Sequence, residues 1–262
     1  MVCLLPPLLR RFMIYTVKTG ELEMRYIKFG RGDKSLVIIP GLSVKSVLLS
    51  EEQIVSAYSP FENDYTVYLF DRRLNMPENY TVYGMANDTA AVMTALGLED
   101  VCLFGVSQGG MIAQCIAVDH PALVSKLVLG STAARAAGGG IKADAREFLN
   151  ALYADEFISK LGIAEALSNV EITDDEEKRF KITSKAADGF DLTDKLSRIK
   201  CPVLVIGASN DGIIPSSASA ELAELTGGEL YMYGAPYGHA VYDEAPDYKA
   251  RVLEFLERKA NV

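Results

Sequence analysis

Tryptophan is absent from this 262-residue sequence, histidine occurs twice and cysteine four times. No apolar run approaches the roughly 18 residues that a membrane-spanning helix needs, so no membrane partner is expected. Positive charge is in deficit, with 26 Lys and Arg against 35 Asp and Glu and a net charge of −9. Such a balance gives no support for a nucleic-acid-binding face or a polybasic lipid anchor. Cys3, Cys102, Cys115 and Cys201 have neither metal-ligand spacing nor the density of a secreted disulfide scaffold. They read as small buried apolar residues. With His120 and His239 as the whole histidine complement, most His-rich metal sites are excluded. No metal or other cofactor is expected. Without tryptophan, any pocket must be lined by other side chains.

What is present is ordinary globular composition, 49% hydrophobic and 23% charged. A chain this long can bury roughly three quarters of its unfolded surface. Residues 1–12, MVCLLPPLLRRF, are broken by Pro6 and Pro7 and place Arg10 and Arg11 after the apolar part. That is the reverse of a secretory signal. The stretch reads as a leader or extension outside the domain, and the expected location is the cytoplasm.

Short β-rich runs recur at Leu22–Phe29, Ser35–Ile39, Tyr65–Phe70, Val101–Phe104, Lys126–Leu129, Val203–Ile206 and Glu229–Tyr233. Several are continuous apolar blocks, which suit strands buried on both faces of a parallel sheet. Helical patterns alternate with them at Val47–Tyr58, Tyr83–Leu96, Gln108–Asp119, Ser216–Leu225 and Ala245–Lys259. The alternation predicts an α/β fold. It breaks once, over about residues 135–190. This segment opens on Gly138-Gly139-Gly140 and then shows helical stretches near Ala143–Tyr153, Glu156–Leu167 and Asp174–Ala187. The acidic run Glu171, Asp174, Asp175, Glu176 and Glu177 reads as a solvated helix start. A helical insertion between strands reads as a lid over the sheet's C-terminal edge.

Gly105-Val106-Ser107-Gln108-Gly109 fits G-x-S-x-G. It follows an expected strand and opens an expected helix, the context this motif requires. The sharp turn strains the serine backbone, lifts its hydroxyl above the sheet and sets helix N-terminal N–H groups beside it. Ser107 is the candidate nucleophile. A serine hydroxyl needs a base. His120 lies past the far end of the helix that Ser107 opens, about a dozen residues at about 1.5 Å each, and reads as a surface turn residue. His239 follows the last strand and can reach the same sheet edge, so it is the candidate base. The carboxylate that would hold its tautomer is Asp211, in the loop after Val203–Ile206. Asp71 is a competitor, but Asp71-Arg72-Arg73 reads as a charge-paired turn. Asp243 and Glu244 sit too close in sequence to His239 to orient it easily. For an oxyanion, the Gln108 backbone N–H is one donor. The Leu42 N–H, in Pro40-Gly41-Leu42-Ser43, is the candidate for the second.

These pieces, in this order, resemble the α/β-hydrolase superfamily, in its subgroup of small cap-bearing esterase-like serine hydrolases. The resemblance runs from about Tyr15 to Lys259 and rests on Pro40-Gly41, Asp71-Arg72-Arg73, the GVSQGG elbow, Asp211 with Pro215, and Gly238-His239. It implies an eight-stranded, mostly parallel sheet with helices on both faces. It also implies a core domain of residues 13–134 and 191–262 and a helical cap of residues 135–190. Two departures stand out. Pro40-Gly41 replaces the frequent His-Gly, and Leu74-Asn75-Met76-Pro77 replaces a frequent Gly-x-Gly stretch.

The expected activity is hydrolysis of a small carboxylic ester through an acyl-enzyme, with a small molecule as the partner. Thioester, lactone, amide and carbon–carbon bond hydrolysis use the same triad, and fold does not choose among them. A small-acid peroxidase-like side activity is a further reading. So is a ligand-binding protein that keeps the fold with little turnover, although the complete set of triad residues argues against it. Epoxide and dehalogenation chemistry would place Asp where Ser107 stands. Candidate pocket residues in the cap are Phe148, Leu152 and Phe157, apolar positions on helices with no sheet of their own to cover. The oligomeric state is not legible.

Overall fold

The structure, a computed structural model, describes residues 14–136, 144–162 and 164–259. The expected leader at residues 1–12 and the Gly138-Gly139-Gly140 entry lie outside the described residues.

Eight strands form one sheet: β1 (Ile14–Thr19), β2 (Leu22–Gly30), β3 (Lys34–Ile39), β4 (Tyr65–Phe70), β5 (Val101–Val106), β6 (Val124–Gly130), β7 (Val203–Ala208) and β8 (Glu229–Tyr233). Their spatial order is β1-β2-β4-β3-β5-β6-β7-β8. β2 pairs antiparallel with β1 and β4, and the remaining pairs are parallel. The described helices are α1 (Glu51–Tyr58), α2 (Val82–Ala95), α3 (Gln108–Asp119), α4 (Ala145–Ala151), α5 (Asp155–Leu161), α6 (Ala164–Ser168), α7 (Asp174–Lys185), α8 (Ser216–Thr226), α9 (Val241–Glu244) and α10 (Tyr248–Glu257). None of the described helices is long and apolar enough to cross a membrane.

Apolar blocks are buried on both faces because successive strand side chains point to opposite sides. In β5, Val101 and Leu103 join the core under α2, α3 and α8, while Cys102, Phe104 and Val106 join the core under α1 and α10. Full burial of one such side chain, Phe104 for example, contributes about 1.5–3 kcal/mol.

Two element assignments differ from the sequence reading. β1 was not expected. It is an edge strand in which Val17 is the single buried residue, so its apolar signal is weak. It is held in register by the two-residue turn Gly20-Glu21, with Gly20 at φ +58°. The helix expected over Ala245–Lys259 is present as α10 but begins only at Tyr248, and α9, which was not expected, precedes it across Ala245-Pro246-Asp247. Pro246 lacks the N–H that a continuous helix would use.

Between β6 and β7 the chain forms α4 to α7. The two ends of this insertion meet at an antiparallel bridge between Arg135 and Asp191. α7 opens on a capping box, with Thr173 accepting from the Glu176 N–H and Glu176 reaching back to the Thr173 N–H. The insertion docks on loops at the carboxyl ends of the strands. Arg179 donates to the Leu74 carbonyl at 2.9 Å, and Lys45 pairs with Glu176 at 3.0 Å. Phe148 and Phe180 pack with Leu42 and Val44 in a small apolar cluster between α4, α7 and the loop after β3.

Candidate active site

Ser107 stands between β5 and α3 with φ +52° and ψ −125°. A non-glycine residue in this region stores of order 1–3 kcal/mol of strain. The surroundings fix it there: the Ser107 N–H donates to the Gly130 carbonyl at 2.8 Å, and the Thr132 hydroxyl donates to the Ser107 carbonyl at 2.7 Å. The flanking glycines are steric requirements. A Cβ on Gly105 would strike the Gly109 carbonyl, and one on Gly109 would strike the carbonyls of Ile39 and Pro40.

His239 lies in the turn between β8 and α9. Its Nε2 is 3.0 Å from Ser107 Oγ. Its Nδ1 is 2.8 Å from Asp211 Oδ2 and 3.0 Å from Oδ1. Asp211 follows β7, and its Oδ1 also accepts the N–H groups of Ile213 and Ile214, both at 2.8 Å. The carboxylate is acceptor-only, so Nδ1 carries the imidazole proton and Nε2 is left to accept from the serine hydroxyl. The imidazole and carboxylate side chains are 1% and 3% exposed, so water hardly competes for these contacts. Three strand ends far apart in sequence thus bring Ser107, His239 and Asp211 into one chain of hydrogen bonds. His120 is at the opposite end of α3, where it is the C-cap residue.

The Leu42 and Gln108 backbone N–H groups donate to no protein acceptor among the described residues. Gln108 is the first residue of α3, where N–H groups lack intrahelical partners. Gly41 abuts Ser107; a Cβ there would sit 3.1 Å from the serine Cβ. The first turn of α3 brings the positive end of its helix dipole to this corner.

Arg72 is a part of this corner that the sequence reading missed. Its guanidinium is buried and donates to the Pro40 carbonyl at 2.8 Å and the Gly41 carbonyl at 3.3 Å, with Gln108 Oε1 at 3.5 Å. Burial pulls its pKa below the ordinary value, while Asp71 and Tyr80 oppose that shift. The charge-paired turn expected for Asp71-Arg72-Arg73 is arranged otherwise. Asp71 accepts the Arg72 N–H and the Ser46 hydroxyl, and Arg73 pairs with Asp88 at 3.2 Å, outside the turn. A cation directly after the apolar strand β4, at the same sheet edge as Ser107, was the available signal.

Two hollows adjoin the site. One is a small polar cavity of about 40 Å³ between the loop after β3 and α7, with Leu42, Gln108, Lys45 and Arg179 in its walls. The Thr173 N–H and, next, Lys45 hold the Glu176 carboxyl below its usual range there. The other is an open groove of about 550 Å³ with His239, Gly238, Tyr153 and Ala154 in its walls. Burial first, then Asp243 and Glu244, push the Tyr153 hydroxyl up to about 12. Of the pocket residues expected from sequence, Phe148 is buried against Leu42, Val44 and Phe180, and Leu152 packs on that cluster. Phe157 stacks on Tyr153 with ring centroids 5.5 Å apart. None of the three is in the wall of either hollow.

Comparison with known proteins agrees with this architecture. The family described as alpha/beta hydrolase fold matches residues 34–246. A Caulobacter sp. (strain K31) protein named for a carbamate hydrolase (RutD) is 29% identical over 224 residues, covering 75% of this chain and 82% of its own. A 2-hydroxy-6-oxononadienedioate/2-hydroxy-6-oxononatrienedioate hydrolase of Burkholderia vietnamiensis is 26% identical over 267 residues, covering 91% and 92%. The enol-lactonase of Burkholderia xenovorans LB400 superposes with a TM-score of 0.79 at 18% identity over 93% of this chain and 100% of its own. The chain belongs to the α/β-hydrolase family, and it is a hydrolase of that fold.

Proposed function

We propose that this hydrolase is a serine esterase acting on a small carboxylic ester, with Ser107 as nucleophile, His239 as general base and Asp211 as the acid that orients it. The observation that carries the reading is the imidazole spanning Ser107 Oγ at 3.0 Å and Asp211 Oδ2 at 2.8 Å.

Ser107 Oγ bonds to the ester carbonyl carbon while its proton passes to His239 Nε2. The carbonyl oxygen becomes an oxyanion held by the Leu42 and Gln108 N–H groups. Collapse breaks the bond to the alcohol oxygen, which leaves with the proton from the imidazolium. A water then gives a proton to His239 and attacks the acyl carbon. The second collapse releases the acid and returns the proton to Ser107. Asp211 keeps the proton on Nδ1 throughout and stabilises the imidazolium.

Residues 135–190 serve as a cap that limits substrate size, over a core of residues 13–134 and 191–262. Phe148 and Leu152 shape the acyl side indirectly, by setting where Leu42 lies, and Phe157 does so through Tyr153. The enzyme works in the cytoplasm and needs no cofactor for this chemistry.

A fluorophosphonate probe tests the nucleophile, and a panel of esters, thioesters, lactones, carbamates and carbon–carbon bond substrates tests the bond. Labelling on the Ser107 peptide with turnover of short-chain esters is expected. Absence of labelling would point to a binding protein of this fold, and turnover confined to another substrate class would replace the ester.

A further inference from the structure

One buried carboxylate close to His239 has no part in the proton transfers above. Glu244, the last residue of α9, is 9% exposed. Its Oε2 accepts the Gly238 N–H at 2.7 Å, and its Oε1 accepts the Ala154 N–H, also at 2.7 Å. Gly238 directly precedes His239. Ala154 is the N-cap residue of α5 in the helical insertion. On the other side of the histidine, the Ala240 N–H donates to the Leu152 carbonyl at 3.2 Å. Both neighbours of His239 are therefore tied, one through Glu244 and one directly, to residues 152–154.

A carboxylate that only closed its own turn would need Gly238 alone. Glu244 divides its two oxygens between the histidine turn and the insertion, and both bonds are short, charge-assisted ones. A backbone shift at residues 152–154 must then move or break the bonds on either side of the imidazole.

We propose that Glu244 is a positioning residue that sets His239 against Ser107 by fixing its turn to the cap segment at Ala154. This rests on the reading of His239 as the base. Cap docking and base alignment are then one structural event. The effect on rate is that of a small misplacement of a reacting group, which costs up to about 10²-fold.

The test compares the parent protein with Glu244→Gln and Ala154→Pro. The first keeps the size but turns an N–H₂ group toward one of the two donors. The second removes the insertion's donor and leaves Glu244 intact; Ala154 already has φ −66°, which proline adopts. The readouts are kcat and KM on a short ester, and the downfield proton resonance of the His239 Nδ1–H. Both variants are expected to lower kcat by about 10- to 100-fold with little change in KM. Both should also shift or broaden the Nδ1–H resonance. A residue with only a structural role would lower the melting temperature and leave these unchanged. Parent-like kcat and an unmoved resonance in folded Ala154→Pro would overturn the proposal, even if Glu244→Gln failed to fold. Failure of Ser107 to label in the parent would overturn the hydrolase mechanism instead. The resonance reports His239 geometry without turnover, so it still decides the role of Glu244.

Discussion

The Arg72 guanidinium donates to the Pro40 carbonyl at 2.8 Å and lies 3.3 Å from the Gly41 carbonyl. A trans peptide is planar, so fixing the Gly41 carbonyl toward Arg72 sends the Leu42 N–H the opposite way. Arg72 thereby sets the direction of one proposed oxyanion donor without touching substrate. It also brings a buried positive charge close behind that loop.

Replacing Arg72 should therefore act on turnover more than on binding. Arg72→Met is expected to lower kcat on a small ester by up to about 10²-fold, the scale of losing one oxyanion donor. Arg72→Lys should recover only part of this, because a point ammonium cannot reproduce the planar fork that reaches two carbonyls. Steady-state kinetics normalised to folded protein by circular dichroism would check it. A kcat equal to the parent's in Arg72→Met would remove Arg72 from the oxyanion corner.

Ser107 carries two separable costs, one chemical and one conformational. Ser107→Ala should abolish fluorophosphonate labelling and lower kcat by of order 10⁶. It keeps the φ +52° backbone strained. Ser107→Gly removes that strain as well, and should be more stable than Ser107→Ala by about 1 kcal/mol after the entropy cost of glycine. Chemical denaturation of the two inactive variants measures the difference directly. Equal stabilities would show that the turn, not the residue, absorbs the strain.

The sheet and the meeting of Ser107, Asp211 and His239 were legible because each residue follows an apolar strand block. A parallel sheet brings the ends of such blocks to one edge whatever their separation in sequence. β1 was not legible, since Val17 is its single buried residue and one apolar position makes no strand pattern. Arg72 and Glu244 were hidden for another reason. Their partners are main-chain groups of distant loops, Pro40 and Gly41 for the first and Ala154 for the second, and no spacing in the sequence encodes such contacts. The aromatics of the helical insertion show the limit of periodicity. It marks Phe148 as apolar but does not say that it turns onto Leu42, Val44 and Phe180.

Alkaline pH should destabilise the fold through the thiols of buried Cys115 and half-buried Cys201. Burial pushes Cys115 up to about 12 and Cys201 up to about 11. The unfolded thiols ionise near about 8.5. Between those limits the folded state holds more protons, so stability is full below the unfolded value and falls as pH rises toward the folded one. Cys115→Ala should flatten the decline between about pH 9 and about pH 12, where one group can contribute up to about 1.4 kcal/mol per pH unit. Urea denaturation at pH 7, 9 and 10.5 tests this. A parallel decline in parent and variant would show that other groups, such as the buried tyrosines, carry the effect.

Asp71 and Asp243 are sequence rivals of Asp211, and their surroundings separate them. The Asp211 carboxylate faces His239 Nδ1 at 2.8 Å and is anchored by the Ile213 and Ile214 N–H groups. Asp71 accepts the Arg72 N–H and the Ser46 hydroxyl, and Asp243 pairs with Lys249 at 3.3 Å. Asp211→Asn keeps the shape, but its amide N–H₂ competes to donate where the carboxylate accepted, favouring the imidazole tautomer with its proton on Nε2. That tautomer cannot take the serine proton, and in related triads the same change lowers kcat by roughly 10⁴. The nucleophile and oxyanion donors remain, so Asp211→Asn should still label slowly with a fluorophosphonate, and lifting the pH should not restore the parent rate. Asp71→Asn should act through the loop that holds Arg72, with a much smaller loss. Asp243→Asn should leave kcat per folded molecule nearly unchanged. The measurement is kcat for the three variants alongside their melting temperatures. A large loss in folded Asp71→Asn or Asp243→Asn, with Asp211→Asn close to the parent, would move the acid elsewhere while leaving Ser107 and His239 in their proposed roles.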